Sequence, residues 1–169
     1  MMTEMVKAAT QAAVHAANEF MSEHLQKRDK RNNLVIVGWP EHHHSDADQN
    51  SKDLEKVLSF CHKLDLPSEC VSHTFRDGAK QNMHGRIIKV VFNENYLWAR
   101  SSFLRAGSNI MATDNDFSAL KKRPFVRIDM TWKERELDRT LRAEVNERRA
   151  KGETDLIVRN FEIMKRKGN

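Results

Sequence analysis

The sequence is poor in the residues that most enzymes and membrane proteins depend on. It has two cysteines, Cys61 and Cys70, both inside apolar segments and without the paired spacing of a metal site, so they read as reduced packing residues. No apolar run approaches the ~20 residues that a membrane span needs. Met1 to Lys7 also lacks the basic-then-apolar order of a signal peptide, and a soluble intracellular protein with no membrane partner is expected. A glycine-rich phosphate loop is missing, as is any Ser/His/Asp or Cys/His order that would arm a nucleophile, so neither an enzyme nor a cofactor is expected. His42-His43-His44 beside Asp46 and Asp48 is the one metal-like cluster. Adjacent imidazoles on a polar loop rarely converge on one ion, and it reads as solvated.

What is present fits one modest core with attachments. With 39% hydrophobic and 31% charged residues among 169, the chain can bury a domain of ~100 residues and little more. Its positive charge is unevenly spread: residues 120–169 carry 15 Lys/Arg against 9 Asp/Glu, whereas residues 32–119 carry 9 against 11. A basic last third is what a phosphate-binding surface looks like, although a solvated charged helix shares much of that pattern.

Thr3 to Arg31 has no Gly or Pro, and Val6, Ala9, Ala13, Ala16, Phe20 and His24 recur at spacings of three and four, which predicts a helix. Its seam is mostly alanine and too thin to be stable alone, so either self-association through residues 3–31 as a coiled coil or docking on the domain is expected. Asn33-Leu34-Val35-Ile36-Val37, stopped by Gly38-Trp39-Pro40, reads as a buried strand. From Ser51, the recurrence of Leu54, Val57, Leu58, Cys61 and Leu64 predicts a core-facing helix closed by Pro67. Cys70 to Phe75 and Arg86 to Phe92 read as strands, the first running to an Asp77-Gly78 turn. Asn93 is a cap for a helix to Ala106 with Gly107 as its stop. Ser108 to Lys122 reads as a long loop, and Arg123 to Asp129 as a fourth strand.

The order strand, helix, strand, strand, helix, strand predicts an α+β fold: an RRM-like β-α-β-β-α-β sandwich with a four-stranded antiparallel sheet and two helices on one face. The expected boundaries are 1–31 for the N-terminal helix, 32–129 for this domain and 130–169 for a C-terminal helix-hairpin extension with a basic tail. In an RNA-recognition motif the face away from the helices binds single-stranded nucleic acid through aromatics on the first and third strands. Here alternation puts Val35, Val37, Ile87, Lys89 and Val91 on that face, and aliphatic groups cannot supply the ~1 to 3 kcal/mol per base that stacking gives. Phe125 and Arg127 share the face at its edge; Phe125 reads equally as a stacking platform or as a residue packed under the C-terminal segment.

After the fourth strand, Thr131-Trp132-Lys133-Glu134 matches a capping box and starts another helix. Leu137, Leu141 and Val145 form its apolar side. Arg135, Arg139, Arg142 and Arg149, spaced by 4, 3 and 7, fall on another side. That stripe reads as a phosphate-binding face working with Arg127, or as a solvated face paired with Glu136, Asp138 and Glu147. Leu156 to Met164 reads as two short strands around Arg159-Asn160. The basic candidates before and within the sheet are Arg86, Lys89, Lys121, Lys122 and Arg123. The competing function is a protein-interaction adaptor with Trp39, Trp98 and Trp132 as anchors.

Four segments in order carry a family resemblance: Asn33 to Glu41 after a basic run; Phe75-Arg76-Asp77-Gly78; Arg86 to Phe92; and Val126 to Thr131 followed by a charged helix. Together, over about residues 25–164, the chain resembles the first open reading frame proteins of LINE-type retrotransposons, or a host protein derived from one. The resemblance implies RNA or other single-stranded nucleic acid as partner, nucleic-acid chaperone activity, and a ribonucleoprotein particle shared with other proteins in the nucleus or in cytoplasmic granules. It implies a binding role for Arg76, Arg127, Arg135 and Arg142. The N-terminal helix is shorter than that family's coiled coil.

Overall fold

A computed structural model of the chain describes residues 2–42, 45–80 and 85–166. They fall into two compact units, residues 31–129 and a second unit formed by the first 30 residues together with those from Met130 onward.

In residues 31–129, β1 (Asn33–Val37), β2 (Val71–Asp77), β3 (Ile87–Phe92) and β4 (Phe125–Ile128) form one antiparallel sheet in the order β2-β3-β1-β4. Helices α2 (Asp46–Lys63) and α3 (Leu97–Ala112) pack on one face. Leu34, Ile36, Ile88, Val90, Phe92 and Val126 alternate toward Val57, Phe60 and Cys61 of α2 and Ala99, Phe103 and Met111 of α3. Phe60, Phe92 and Phe103 are fully buried, each contributing about 1.5–3 kcal/mol relative to an exposed ring. Cys61 and Cys70 lie in this core with their sulfurs 3.9 Å apart, and burial raises both thiol pKa values.

The local structure differs from expectation in four places. Helix α2 begins at Asp46 rather than Ser51, because Ser45 Oγ accepts from Asp48 N at 3.1 Å and Asp46 and Asp48 suit the positive end of the helix. Gly107 does not stop α3. It sits inside the helix, where a Cβ would stand 3.0 Å from the Phe103 ring and 3.1 Å from Val126 Cγ2, so its small size lets α3 approach β4. Asn93 makes no side-chain cap; a single 3-10 turn (Glu94–Tyr96) precedes α3 instead. The long loop is correspondingly shorter, since α3 runs to Ala112 and a further 3-10 turn (Asn115–Phe117) plants Phe117 in the core.

The second unit joins α1 (Met2–Lys30) to α4 (Trp132–Ala150) and a hairpin of β5 (Leu156–Arg159) and β6 (Glu162–Lys165). The capping box at Thr131 forms as its residues predict, with Thr131 Oγ1 accepting from Glu134 N at 3.2 Å and Glu134 Oε2 accepting from Thr131 N at 2.9 Å. The last turns of α1 close over it: Thr131 Oγ1 donates to Glu23 at 2.6 Å, and Lys30 Nζ donates to Met130 O at 2.9 Å. Asn160 and Phe161, both with positive φ, make the two-residue turn that fits the twist of the hairpin. Leu137, expected on the packed side of α4, is 46% exposed; Val145 is buried.

Candidate nucleic-acid interface

The sheet face turned away from α2 and α3 is laid out by the strand register. One row crosses it as Phe75, Lys89, Val35 and Arg127; the next carries Asp77 opposite Ile87 and Val37 opposite Phe125. Val35 has no exposed surface, so the centre of that row offers nothing to a base. Lys89 does not present a free charge: its ammonium lies 2.9 Å from Asp77 and 3.5 Å from Asp129, and 5.9 Å from the centre of the Phe75 ring.

Two arginines expected to meet phosphate are instead internal. Arg76 alternates toward the helices, and its side chain is 1% exposed. Its five N–H groups are all committed: Nε and Nη2 to the Asp53 carboxylate at 2.7 and 2.9 Å, Nη1 to Trp39 O and Arg86 O at 2.9 and 3.0 Å, and Nη2 to Pro40 O at 2.9 Å. A guanidinium has no sixth donor for a phosphate. Arg86 is 6% exposed and donates to Glu41 and, at 2.8 Å, to Asp46. The Arg86 hydrogen bond, partly opposed by burial, holds Glu41 below the usual carboxylate range. Asp46 also pairs with Lys80 at 3.1 Å, while His43 and His44 of the metal-like cluster lie outside the described residues.

Arginines on α4 are also partly neutralised. Arg139 pairs with Glu136 at 2.6 Å and Arg142 with Asp138 at 2.7 Å, both on their own helix. Arg149 donates to Leu156 O and ties the helix to the hairpin. The four-arginine stripe is therefore not a bare cationic face. Exposed pairs of this kind are worth only ~0 to 1 kcal/mol, so Arg139 and Arg142 remain exchangeable with an incoming phosphate, whereas Arg76 is not. Arg135 is exposed and has no side-chain partner among the described residues.

The candidates with charge to offer are those entering β4. Lys121, Lys122 and Arg123 are consecutive and exposed, and none meets a carboxylate among the described residues. Pro124 is buried and pins the segment to the domain. Phe125 follows on the outer strand, 47% exposed, on the same face as Arg127. Arg127 itself is half-buried and donates weakly to Ile128 O at 3.4 Å.

The countercharge of Arg76 is legible in the sequence. Gln49 and Asp53 stand on the same stripe of α2 as Val57 and Phe60, and both are buried. A carboxylate on a core-facing stripe demands an internal cation, and Arg76, at an inward position of β2, supplies it. His73 and Phe75 of β2 also lie on the face away from the helices, a placement set by the register shift between Val71 and His73. A scan of protein-family models and a search of curated proteins both return no match to this sequence.

Proposed function

We propose that the protein binds single-stranded RNA, mainly through the phosphate backbone, as part of a ribonucleoprotein particle. The observation that carries the reading is the run of three cations, Lys121 to Arg123, with no side-chain partner among the described residues, leading into the exposed ring of Phe125 on an outer strand. A cationic segment beside an accessible aromatic is what sequence-tolerant single-strand binding requires. Support also comes from the sheet order β2-β3-β1-β4 with both helices on one side, which fits an RRM-like domain, and from the resemblance of the ordered motifs to those of LINE-type first open reading frame proteins. Nucleic-acid chaperone activity and self-association through α1 belong to the same proposal. Residues 4–20 of α1 are exposed, Val6 and Phe20 at 64% and 73%, and a helix with so little cover gains by pairing.

The adaptor reading keeps one observation in its favour. Trp98 is 55% exposed beside Leu97 at 37%, with the Tyr96 ring 6.5 Å away, an aromatic cluster at the start of α3. Trp39 is not an anchor, because it is 6% exposed and packs on Phe60 and Phe117. Anisotropy titrations with several unrelated single-stranded RNAs at increasing salt separate the two. Phosphate-led binding gives comparable affinities that fall steeply with salt; no binding, or salt-independent binding, favours the adaptor.

A further inference from the structure

β2 contributes to the core only at alternate residues, and one extra residue changes which ones. The β2–β3 register shifts between Val71 and His73, leaving Ser72 as a bulge. Without it Val71 and His73 would share a face; with it Val71 joins the core while His73, Phe75 and Asp77 turn to the face away from the helices. There the His73 and Phe75 rings lie nearly parallel, 6.0 Å between centres and 22° between planes. Ser72 Oγ stands 3.1 Å from His73 Nδ1 and restrains the imidazole. His73 is exposed, Phe75 is half-buried, and β2 is an outer strand, so no further strand flanks the pair.

We propose that the His73–Phe75 pair is a stacking site for an unpaired nucleobase, at the opposite edge of the sheet from Phe125; the inference rests on the single-strand reading above. The surroundings favour a base over a protein side chain. Ser72, Asp77, Lys89 and the half-buried Val91 opposite His73 border the rings, so the apolar area open to an aliphatic anchor is narrow and flanked by polar groups, whereas a base needs only one flat π surface. Lys89 is balanced by Asp77 and Asp129, so the site adds little net charge for a phosphate. It therefore grips the base and leaves the salt dependence to Lys121, Lys122 and Arg123.

The test uses the full chain with short oligoadenylate and with an abasic strand of equal length, each titrated at several salt concentrations. His73→Ala and Phe75→Leu should each weaken oligoadenylate binding about tenfold, leave the salt slope unchanged and leave abasic binding untouched, while Phe75→Trp retains affinity. If Phe75→Leu fails to fold by circular dichroism, the exposed His73→Ala still decides. Wild-type affinity in folded variants overturns the stacking site and leaves the RNA reading standing, as does an equal loss on the abasic strand. A wild-type protein that binds neither strand overturns both.

Discussion

Residues 31–129 hold two sets of cations that a count of positive charge does not separate. Arg76 and Arg86 are almost inaccessible and face Asp53, Glu41 and Asp46; Lys121, Lys122 and Arg123 are exposed and face no carboxylate among the described residues. The first set is committed to folding. Burying a guanidinium is tolerable only where every donor finds an acceptor, and Arg76 satisfies that condition by holding β2, α2 and the chain after β1 together. Among the described residues the side chains of the second set meet no partner, so their charge is available to a ligand. Whether a cation is available to a ligand follows from the partners it lacks inside the protein.

The sharpest way to break this comparison is to treat an inner arginine as a ligand. Arg76→Ala should destabilise the domain by about 3–5 kcal/mol, because it strands the Asp53 carboxylate in the core. Urea unfolding measures it. A folded, equally stable variant with weakened RNA binding would reassign Arg76 to the interface.

A smaller effect is expected at Asp114. Burial raises its pKa, but hydrogen bonds from Lys56, the Asp116 backbone and Lys63 outweigh this and hold it below the usual aspartate value. A carboxyl with a depressed folded pKa contributes stability that is fully present above the unfolded value of about 3.9 and is lost as pH falls through the folded one. Asp114→Asn should therefore cost about 1.5–3 kcal/mol near neutrality and flatten the acid limb of the stability profile. An unchanged profile in urea titrations from neutral to acid pH would contradict that origin.

Removing α1 up to Met21 should leave both units folded, since Glu23, Lys27 and Lys30, which meet Thr131, Glu134 and Met130, remain. Sedimentation should show the full chain associated and the shortened chain monomeric; a monomer in both cases would end the coiled-coil proposal. The smallest effect belongs to Arg142→Ala, which removes only an exposed pair with Asp138 and should shift stability by no more than about 0.5 kcal/mol.

Much of the fold was readable because it follows from periodicity. The four consecutive apolar residues of β1, Leu34 to Val37, the capping box at Thr131 and the hairpin after Gly152 each declare themselves over a few neighbouring positions. The failures have a common origin in distant contacts. Gly107 reads as a stop until Phe103 and Val126 crowd it, and Arg76 reads as a surface cation until Asp53 is seen across from it. The placement of Phe75 is illegible for a subtler reason: one bulge residue, Ser72, separates its face from that of Val71, and no local pattern marks a bulge on an outer strand.

The most direct measurement compares the salt dependence of single-stranded RNA binding for the wild-type chain and for the triple substitution of Lys121, Lys122 and Arg123 by Gln. Each phosphate contact on a single strand contributes about 0.7 to the slope of log affinity against log salt, so losing three should flatten it by about 2. Affinity at low salt should fall by at least about tenfold, with stability within about 0.5 kcal/mol of the wild type. An unchanged slope in a folded triple variant would place the phosphate contacts elsewhere and contradict the assignment of function to the unpartnered cations.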